Sequence, residues 1–178
     1  MDPMEIALQL QTAFPDEVRK IDEFRGQVSV TVRKNRIRDI MSRLWAEPEY
    51  YFDFLEDLCG ADYLGKKEPR FEVVYNLHSM KHSHKIRIRA EVSETDCFID
   101  SVTTVWAGAN WHERECYDLF GIQFIGHPDH RRILLPEDWE GHPLRKDYPV
   151  KSDLGEHEWP GFKAVVETSK RNRRYEVR

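Results

Sequence analysis

The sequence predicts an α+β fold: a small mixed or antiparallel sheet with helices packed on it, followed by an extended C-terminal arm. Segments in which apolar and polar residues alternate recur between residues 27 and 92, which is the period of half-buried strands. Stretches with apolar residues at helical spacing flank these segments. Beyond residue 122, prolines recur too often for a long helix, which indicates irregular chain.

The first quarter of the chain contains two predicted helices and one strand. Residues 4 to 13 carry apolar side chains at helical spacing, and Pro15 ends this helix because the residue before a proline is pushed out of the α region. A β-branched strand covers residues 27 to 32. Asn35 is expected to cap a second helix, which packs on the sheet and closes at Pro48. The apolar stripe of this helix consists of Ile37, Ile40, Met41, Leu44 and Trp45.

Further strands are predicted between residues 51 and 92. Residues 51 to 63 fit either a strand or a short helix, and we favour a strand ending near Asp62. Residues 71 to 77 and 86 to 92 alternate in polarity and form a hairpin. We interpret the basic residues on its exposed face as charges that keep this face in water. They are Lys85, Arg87 and Arg89.

Residues 97 to 106 fit either a short helix or an irregular approach to the next element. That element is a helix over residues 111 to 120, since Asn110 is a good N-cap and Glu113 falls at the position that completes a capping box. Gly121 is expected to supply the left-handed position after the helix.

The charges of this helix divide between its faces. Arg114 and Asp118 lie one turn apart and can pair on the solvent or partner face. Glu115 points about 100° away from Arg114, so the triplet from Glu113 to Glu115 is not a carboxylate pair on one face. This geometry argues against acid–base catalysis.

Length and composition favour one domain with an appendage. The 178 residues are 40% hydrophobic and 12% aromatic, enough for an ordinary core, and the net charge of −5 disfavours a nucleic-acid partner. The N-terminus lacks a signal sequence, and the longest uncharged run, residues 101 to 112, is too short to cross a membrane, so we expect a cytoplasmic protein without direct membrane insertion. The expected division is an α+β domain (1–121), an irregular segment packed on the domain or a partner (122–149) and an arm (150–178).

The sequence shows no residue pattern typical of a metal or cofactor site. Cys59, Cys97 and Cys116 are widely spaced and odd in number, so we interpret each as a small buried hydrophobe. His78 and His82 have the spacing of a metal-binding pair but fall at a strand end and a turn, so solvated or hydrogen-bonding roles are favoured. The sequence contains neither a glycine-rich phosphate loop nor a nucleophile elbow.

The most informative segment runs from Trp111 to Pro149. Its marked positions are Glu113, Arg114, Glu115, Asp118, Leu119, Phe120, Gly121, His127, Arg131, Arg132, Pro143, Leu144, Arg145, Lys146, Asp147 and Tyr148. In order and spacing they resemble the signature of the 30 kDa subunit family of respiratory complex I, known in bacteria as the C subunit of NADH-quinone oxidoreductase. Residues 54 to 62 extend the resemblance, which covers roughly residues 20 to 150.

The resemblance implies a non-catalytic structural or assembly subunit in the peripheral arm of a complex I-type NADH-quinone oxidoreductase, an ion translocase that transfers electrons from NADH to quinone. It implies that flavin and iron–sulfur clusters lie in other subunits and that this subunit holds no cofactor. The principal partner would be the 49 kDa-type subunit, beside other peripheral-arm subunits, on the cytoplasmic face of the inner membrane. Interface candidates are Glu113, Arg114, Glu115, Asp118, His127, Arg131, Arg132, Arg145, Lys146, Asp147 and Tyr148.

Two other functions remain open. The same module could serve a membrane-bound hydrogenase or a ferredoxin- or F420-dependent complex. Alternatively, a free-standing hydrolase could use His112, Glu115, His127 and His130. The arm carries apolar residues that must be buried on this chain or another, and its basic end, residues 170 to 178, is either a docking tip or a frayed terminus.

Overall fold

The computed structural model describes residues 1–149. The helices are α1 (Pro3–Ala13), α2 (Ile37–Ala46) and α3 (Ala109–Phe120). The strands are β1 (Val18–Phe24), β2 (Gln27–Arg33), β3 (Phe54–Asp62), β4 (Phe71–Ser79), β5 (His84–Val92), β6 (Phe98–Asp100) and β7 (Gln123–Ile125). The predicted arm at residues 150–178 lies outside the described residues.

Five strands form one mixed sheet in the order β1-β2-β5-β4-β3. The β2–β5 pair is parallel and the other neighbours are antiparallel. β6 and β7 form a separate parallel pair. The predicted α+β class, with a small mixed sheet and packed helices, is confirmed. Within residues 1–149, no helix is both long and apolar enough to cross a membrane.

Strand β1 was not predicted by the sequence pattern, and neither were the short strands β6 and β7, which lie in segments expected to be a short helix or irregular chain. Apolar and polar residues do not alternate regularly along β1, and four of its seven residues are charged. The strand lies at an edge of the sheet, where charged side chains are common because they discourage pairing with another chain. The apolar alternation of a half-buried strand is therefore weak here.

The core lies on one face of the five-stranded sheet. Helix α1 contacts β1, β2 and β5, and α2 contributes to the same buried cluster. The largest buried side chains include Ile6 and Leu10 of α1, Ile37, Ile40, Met41 and Leu44 of α2, and Phe71, Tyr75, Leu77 and Ile88 of the sheet.

Helix α2 differs from the prediction at both ends of its apolar stripe. Arg36 rather than Asn35 occupies the cap position, and no side chain caps the helix. The Arg36 guanidinium instead donates to Asp39 at 2.8 Å, within the first turn. Trp45 is 44% exposed, so the predicted stripe is one residue too wide.

The predicted hairpin is present as β4 and β5, and the ambiguous segment forms β3. Of the basic residues on the face of the hairpin, Lys85 is exposed, as expected, but it also pairs with Glu56 of β3. Arg89 donates two hydrogen bonds to Glu72, which has no exposed surface, and Arg87 donates to Asn76. A buried carboxylate needs compensating charge, so cross-strand ion pairing replaces simple solvation on this face.

Helix α3 packs on β3, and a glycine permits the close approach. A Cβ atom at Gly60 would stand 2.6 Å from the Phe120 ring, far inside van der Waals contact. The preceding segment, residues 97 to 106, is strand β6 followed by a turn rather than a helix. Helix α3 and the chain after β7 thus meet at the β3 side of the sheet.

Candidate functional site

Helix α3 begins at Ala109, two residues before its predicted start, with Gly108 at the cap position. Glu113 therefore lies in the second turn, and the predicted capping box is wrong. Its fully buried carboxylate accepts a hydrogen bond from the Val102 N–H at 2.7 Å, because the turn after β6 offers an otherwise unpaired donor. Gly121, with φ of 75°, ends the helix in the left-handed conformation, as predicted.

Asp118 organises the chain that follows β7. Residues 126–149, here named the signature loop, contain neither helix nor strand. The buried Asp118 carboxylate accepts hydrogen bonds from three consecutive backbone N–H groups and from the Arg132 guanidinium, the latter at 2.7 Å. The three backbone donors are Ile133 at 3.1 Å, Leu134 at 2.8 Å and Leu135 at 2.8 Å. Burial alone would raise the pKa of Asp118, but these hydrogen bonds outweigh it and lower that pKa.

Arg114 does not pair with Asp118, so the predicted surface ion pair is wrong. Asp118 faces inward to Arg132, whereas Arg114 donates to the carbonyl oxygens of Arg131 and Arg132 at 3.1 and 3.0 Å. The loop thus offers backbone carbonyl oxygens to Arg114 and the Arg132 guanidinium to Asp118. Both side chains therefore hold the signature loop against α3.

Basic side chains of the loop also bind the C-terminal carbonyls of α3. His142 Nδ1 lies 2.9 Å from the Asp118 carbonyl, and Arg145 donates to the Phe120 carbonyl at 2.6 Å. Arg132 donates both to the Asp118 carbonyl at 3.3 Å and to two backbone carbonyls later in the loop. Burial lowers the pKa of His142, so the positive charge at this end of the helix comes from Arg132 and Arg145, which satisfy unpaired carbonyls and the helix dipole together.

A second ion network, centred on Arg70, fixes the end of the loop to the sheet. Arg70 is 3% exposed and donates two hydrogen bonds each to Asp62 and Asp147, plus one to Glu94. Asp62 also accepts the Lys146 N–H at 2.8 Å. The hydrogen bond from Arg70 lowers the pKa of Asp62 to about 2, so this joint stays ionised at neutral pH.

The histidines of the loop take part in backbone hydrogen bonds. His127 Nε2 lies 3.1 Å from the Asn110 carbonyl, and its Nδ1 accepts the N–H two residues onward. His130 Nε2 accepts the Phe124 N–H at 3.1 Å. The two rings are neighbours, with centroids 5.6 Å apart. Among residues 1–149, no hydrogen bond or ion pair joins Glu115 to them, so the structure does not assemble the set considered for a hydrolase.

The predicted interface residues fall into three groups by exposure. Glu113 and Asp118 are buried; Arg114, His127, Arg132, Arg145 and Tyr148 are half-buried; Glu115, Arg131, Lys146 and Asp147 are exposed. The sequence analysis did not identify Arg70, because this residue is not part of any recognisable motif. Its partners Asp62 and Asp147 are close in space but lie in different predicted segments.

Three apolar side chains project from this region. Trp111 of α3 is 63% exposed, Leu134 is 61% exposed and Leu144 is 52% exposed. Trp111 stacks beneath the Arg114 guanidinium, 5.3 Å from its ring centroid, and Arg114 binds the loop backbone two residues before Leu134. One surface therefore carries Trp111 and Leu134 together.

The cysteines differ from the uniform prediction. Cys116 is buried as expected, Cys97 is half-buried, and Cys59 is exposed on the edge strand β3. His78 and His82 have separate polar partners, a glutamate and a backbone carbonyl. In the part of the chain that the structure describes, no three His, Cys, Asp or Glu side chains are placed to hold a metal ion.

Comparison with known proteins settles the family. The family model described as respiratory-chain NADH dehydrogenase, 30 Kd subunit, matches residues 30–154. The chain belongs to this family. The C subunit of NADH-quinone oxidoreductase from Roseiflexus castenholzii is 52% identical over 153 residues, 86% of this chain and 87% of the relative. Its Geobacter sulfurreducens counterpart is 49% identical over 144 residues, 81% and 88% of the two chains. The predicted family is confirmed.

One solved structure agrees with this assignment, and a second shows the same fold. A trypsin-resistant fragment of Nqo5 is 33% identical, with a TM-score of 0.64, and the match covers 72% of this chain and 99% of the fragment. A chain of a membrane-bound sulfane sulfur reductase, an archaeal respiratory membrane complex, has a TM-score of 0.68 over 98% of this chain and 91% of its own. That chain is 21% identical, so it shows the shared fold alone.

Substitution of Asp118 by Asn tests its role in the loop. We expect a loss of about 3–5 kcal/mol in unfolding free energy, because the change leaves Arg132 without its buried counter-charge. The new NH2 group also replaces one carboxylate oxygen and must face either the Arg132 guanidinium or the three loop amides, all of which are donors. Chemical denaturation of the full chain measures this. Asp129→Asn is the control, since Asp129 forms an exposed pair with Arg131 in the same loop and its loss should leave stability nearly unchanged. Equal stability of the two variants would contradict the role assigned to Asp118.

Proposed function

We propose that the chain is a structural subunit of the peripheral arm of a complex I-type NADH-quinone oxidoreductase, in which electron transfer from NADH to quinone is coupled to ion translocation. The observation that carries the proposal is a loop without regular structure that is held rigidly by buried charges while its large apolar side chains point outward. Relatives that are 52% and 49% identical, both named as the C subunit of NADH-quinone oxidoreductase, support it.

The proposed docking face consists of the exposed residues Trp111, Leu134 and Leu144. The exposed signature residues Glu115, Arg131, Lys146 and Asp147 supply its polar rim. Aromatic and aliphatic anchors inside a charged surround are the usual composition of a specific protein interface. The buried signature residues contribute indirectly, by positioning the backbone that carries the anchors.

The proposed principal partner is the 49 kDa-type subunit, with other peripheral-arm subunits as neighbours. In this arrangement residues 1–121 form the domain, residues 122–149 present the docking face, and residues 150–178 extend along the partner. The assembled complex holds the chain peripherally at the cytoplasmic face of the membrane.

We also propose that this chain carries no cofactor and has no activity in isolation. Burial raises the pKa of the Cys97 and Cys116 thiols, which disfavours the thiolate that a metal or cluster requires. Flavin and iron–sulfur clusters then belong to other subunits. Other membrane-bound respiratory complexes are the second candidate setting, favoured by the shared fold of the sulfane sulfur reductase chain.

Alanine substitutions at Trp111 and Leu134 test the docking face. Each should weaken assembly with the co-expressed 49 kDa-type subunit by about tenfold or more, because truncating an interface anchor costs at least ~1–2 kcal/mol of binding. Melting of the isolated chain should change little, since both side chains are largely exposed. Co-purification at graded salt and concentration measures the effect.

Matched controls lie on the far side of the fold. Phe24→Ala removes a 71% exposed aromatic side chain from the opposite edge strand, and Leu8→Ala removes a 51% exposed leucine from α1. Both should assemble normally. If the controls weaken assembly while the Trp111 and Leu134 variants do not, the docking face is elsewhere.

The absence of a cofactor has its own test. The purified full chain should contain iron, zinc and flavin far below one equivalent, because a cluster needs about four thiolates and the chain has three cysteines. Elemental analysis and a visible spectrum measure this. Near-stoichiometric metal after chelator washing would overturn the purely structural role.

A further inference from the structure

A buried polar cluster lies behind the signature loop, between α3 and β4. Glu113 of α3 and Tyr75 of β4 both have no exposed surface, and they are close enough that the pKa of Tyr75 is raised by burial and also by the charge of Glu113. The Glu113 Oε2 atom and the Tyr75 hydroxyl lack a hydrogen-bond partner among the described residues. Buried polar atoms are hydrogen-bonded in roughly nine cases of ten, so two such atoms in one cluster are unusual.

The nearest basic side chain, His127, makes no hydrogen bond to Glu113. His127 Nε2 lies 4.0 Å from Glu113 Oε2, and the imidazole is fully buried. Its Nδ1 accepts the Asp129 N–H, a fixed donor, so the ring hydrogen sits on Nε2 and points to the Asn110 carbonyl. The imidazole hydrogen is therefore directed away from Glu113.

Burial has a larger effect on the pKa of Glu113 than the other groups that face this residue. Burial raises the pKa of Glu113 to about 7, although the Val102 N–H, the Ser101 hydroxyl and Arg38 of α2 act in the opposite direction. Arg38 is 45% exposed and lies 3.6 Å from Asp100 of β6, which competes for its charge.

The remaining titratable neighbours stay neutral. Burial raises the pKa of Cys116 on α3 well above its ordinary value, and burial followed by the charge of Glu113 does the same for Tyr75 on β4. Glu113 is thus the member of the cluster that changes charge near neutral pH.

We propose that Glu113 is a reversible proton-binding site enclosed by α3, β4 and the signature loop, in which one buried water molecule links Glu113 Oε2 to the Tyr75 hydroxyl. The protonated carboxyl donates through this water, and the ionised carboxylate accepts through it, so the tyrosine hydroxyl serves both states. This site is independent of the docking proposal, because it lies inside the chain.

The proton makes stability depend on pH in a defined direction. The folded-state pKa of about 7 lies above the ordinary value of 4.5, so between these values the folded chain holds a proton that the unfolded chain has released. The stability contributed by Glu113 should therefore be largest at the acidic end of this window and fall as pH rises to about 7. Above that pH, Glu113 causes no further change.

Chemical denaturation of the full chain across this pH window tests the site. The stability of wild type relative to Glu113→Gln should fall across the window with a slope that approaches about one proton. Burial lowers the pKa of His130 and of His142, which adds an opposite slope to both proteins and cancels in this difference. Glu115→Gln is the matched control, because its exposed carboxylate is two residues away and should leave the wild-type slope intact. A wild-type slope retained in Glu113→Gln would overturn the proposal.

Carbon NMR of labelled glutamate carboxyls gives a second readout that does not require a folded Glu113 variant. In wild type, one glutamate should titrate with a midpoint near 7; if every glutamate titrates near 4.5, there is no such site. Tyr75→Phe removes the hydroxyl that the water bridges, and this should raise the midpoint further, because a hydrogen bond stabilises the ionised carboxylate more than the neutral carboxyl. An unchanged midpoint in Tyr75→Phe would remove Tyr75 and the bridging water from the site.

Discussion

The fold of the signature loop depends on one carboxylate that binds three consecutive backbone amides. Asp118 holds the N–H groups of residues 133 to 135 and the Arg132 guanidinium from a position without solvent exposure. A chain segment without helix or strand has few other partners for its backbone groups. Charge-assisted hydrogen bonds are about twice as strong as neutral ones, so a single aspartate can replace a strand ladder here.

The charges of the signature consequently act mainly within the chain. Arg114, Arg132 and Arg145 donate to backbone carbonyls, and Arg70 joins the loop end to the sheet through Asp147. Breaking such buried partnerships leaves uncompensated charge, which links each residue to the position of the whole loop. The apolar surface that we propose for docking is a product of this internal framework.

Local periodicity predicted the elements whose stability comes from burial on one face. Helix α1, strand β2 and the β4–β5 hairpin show their periods plainly, whereas edge strand β1 does not, because its charges protect an open edge. At α3 the sequence fits a capping box, but the prediction was wrong, because the Glu113 carboxylate accepts a hydrogen bond from the Val102 N–H, 11 residues earlier in the chain. The joint between Arg70 and Asp147 spans 77 residues and has no local signature at all.

Amide hydrogen exchange at residues 133 to 135 measures the central claim most directly. If Asp118 holds these amides, they exchange slowly in the isolated full chain, with protection approaching that of α3, although they lie in a loop that carries an exposed leucine. Exchange at the rate of unstructured chain, while α3 and the sheet remain protected, would contradict the account, because the loop would then not be held by the domain itself.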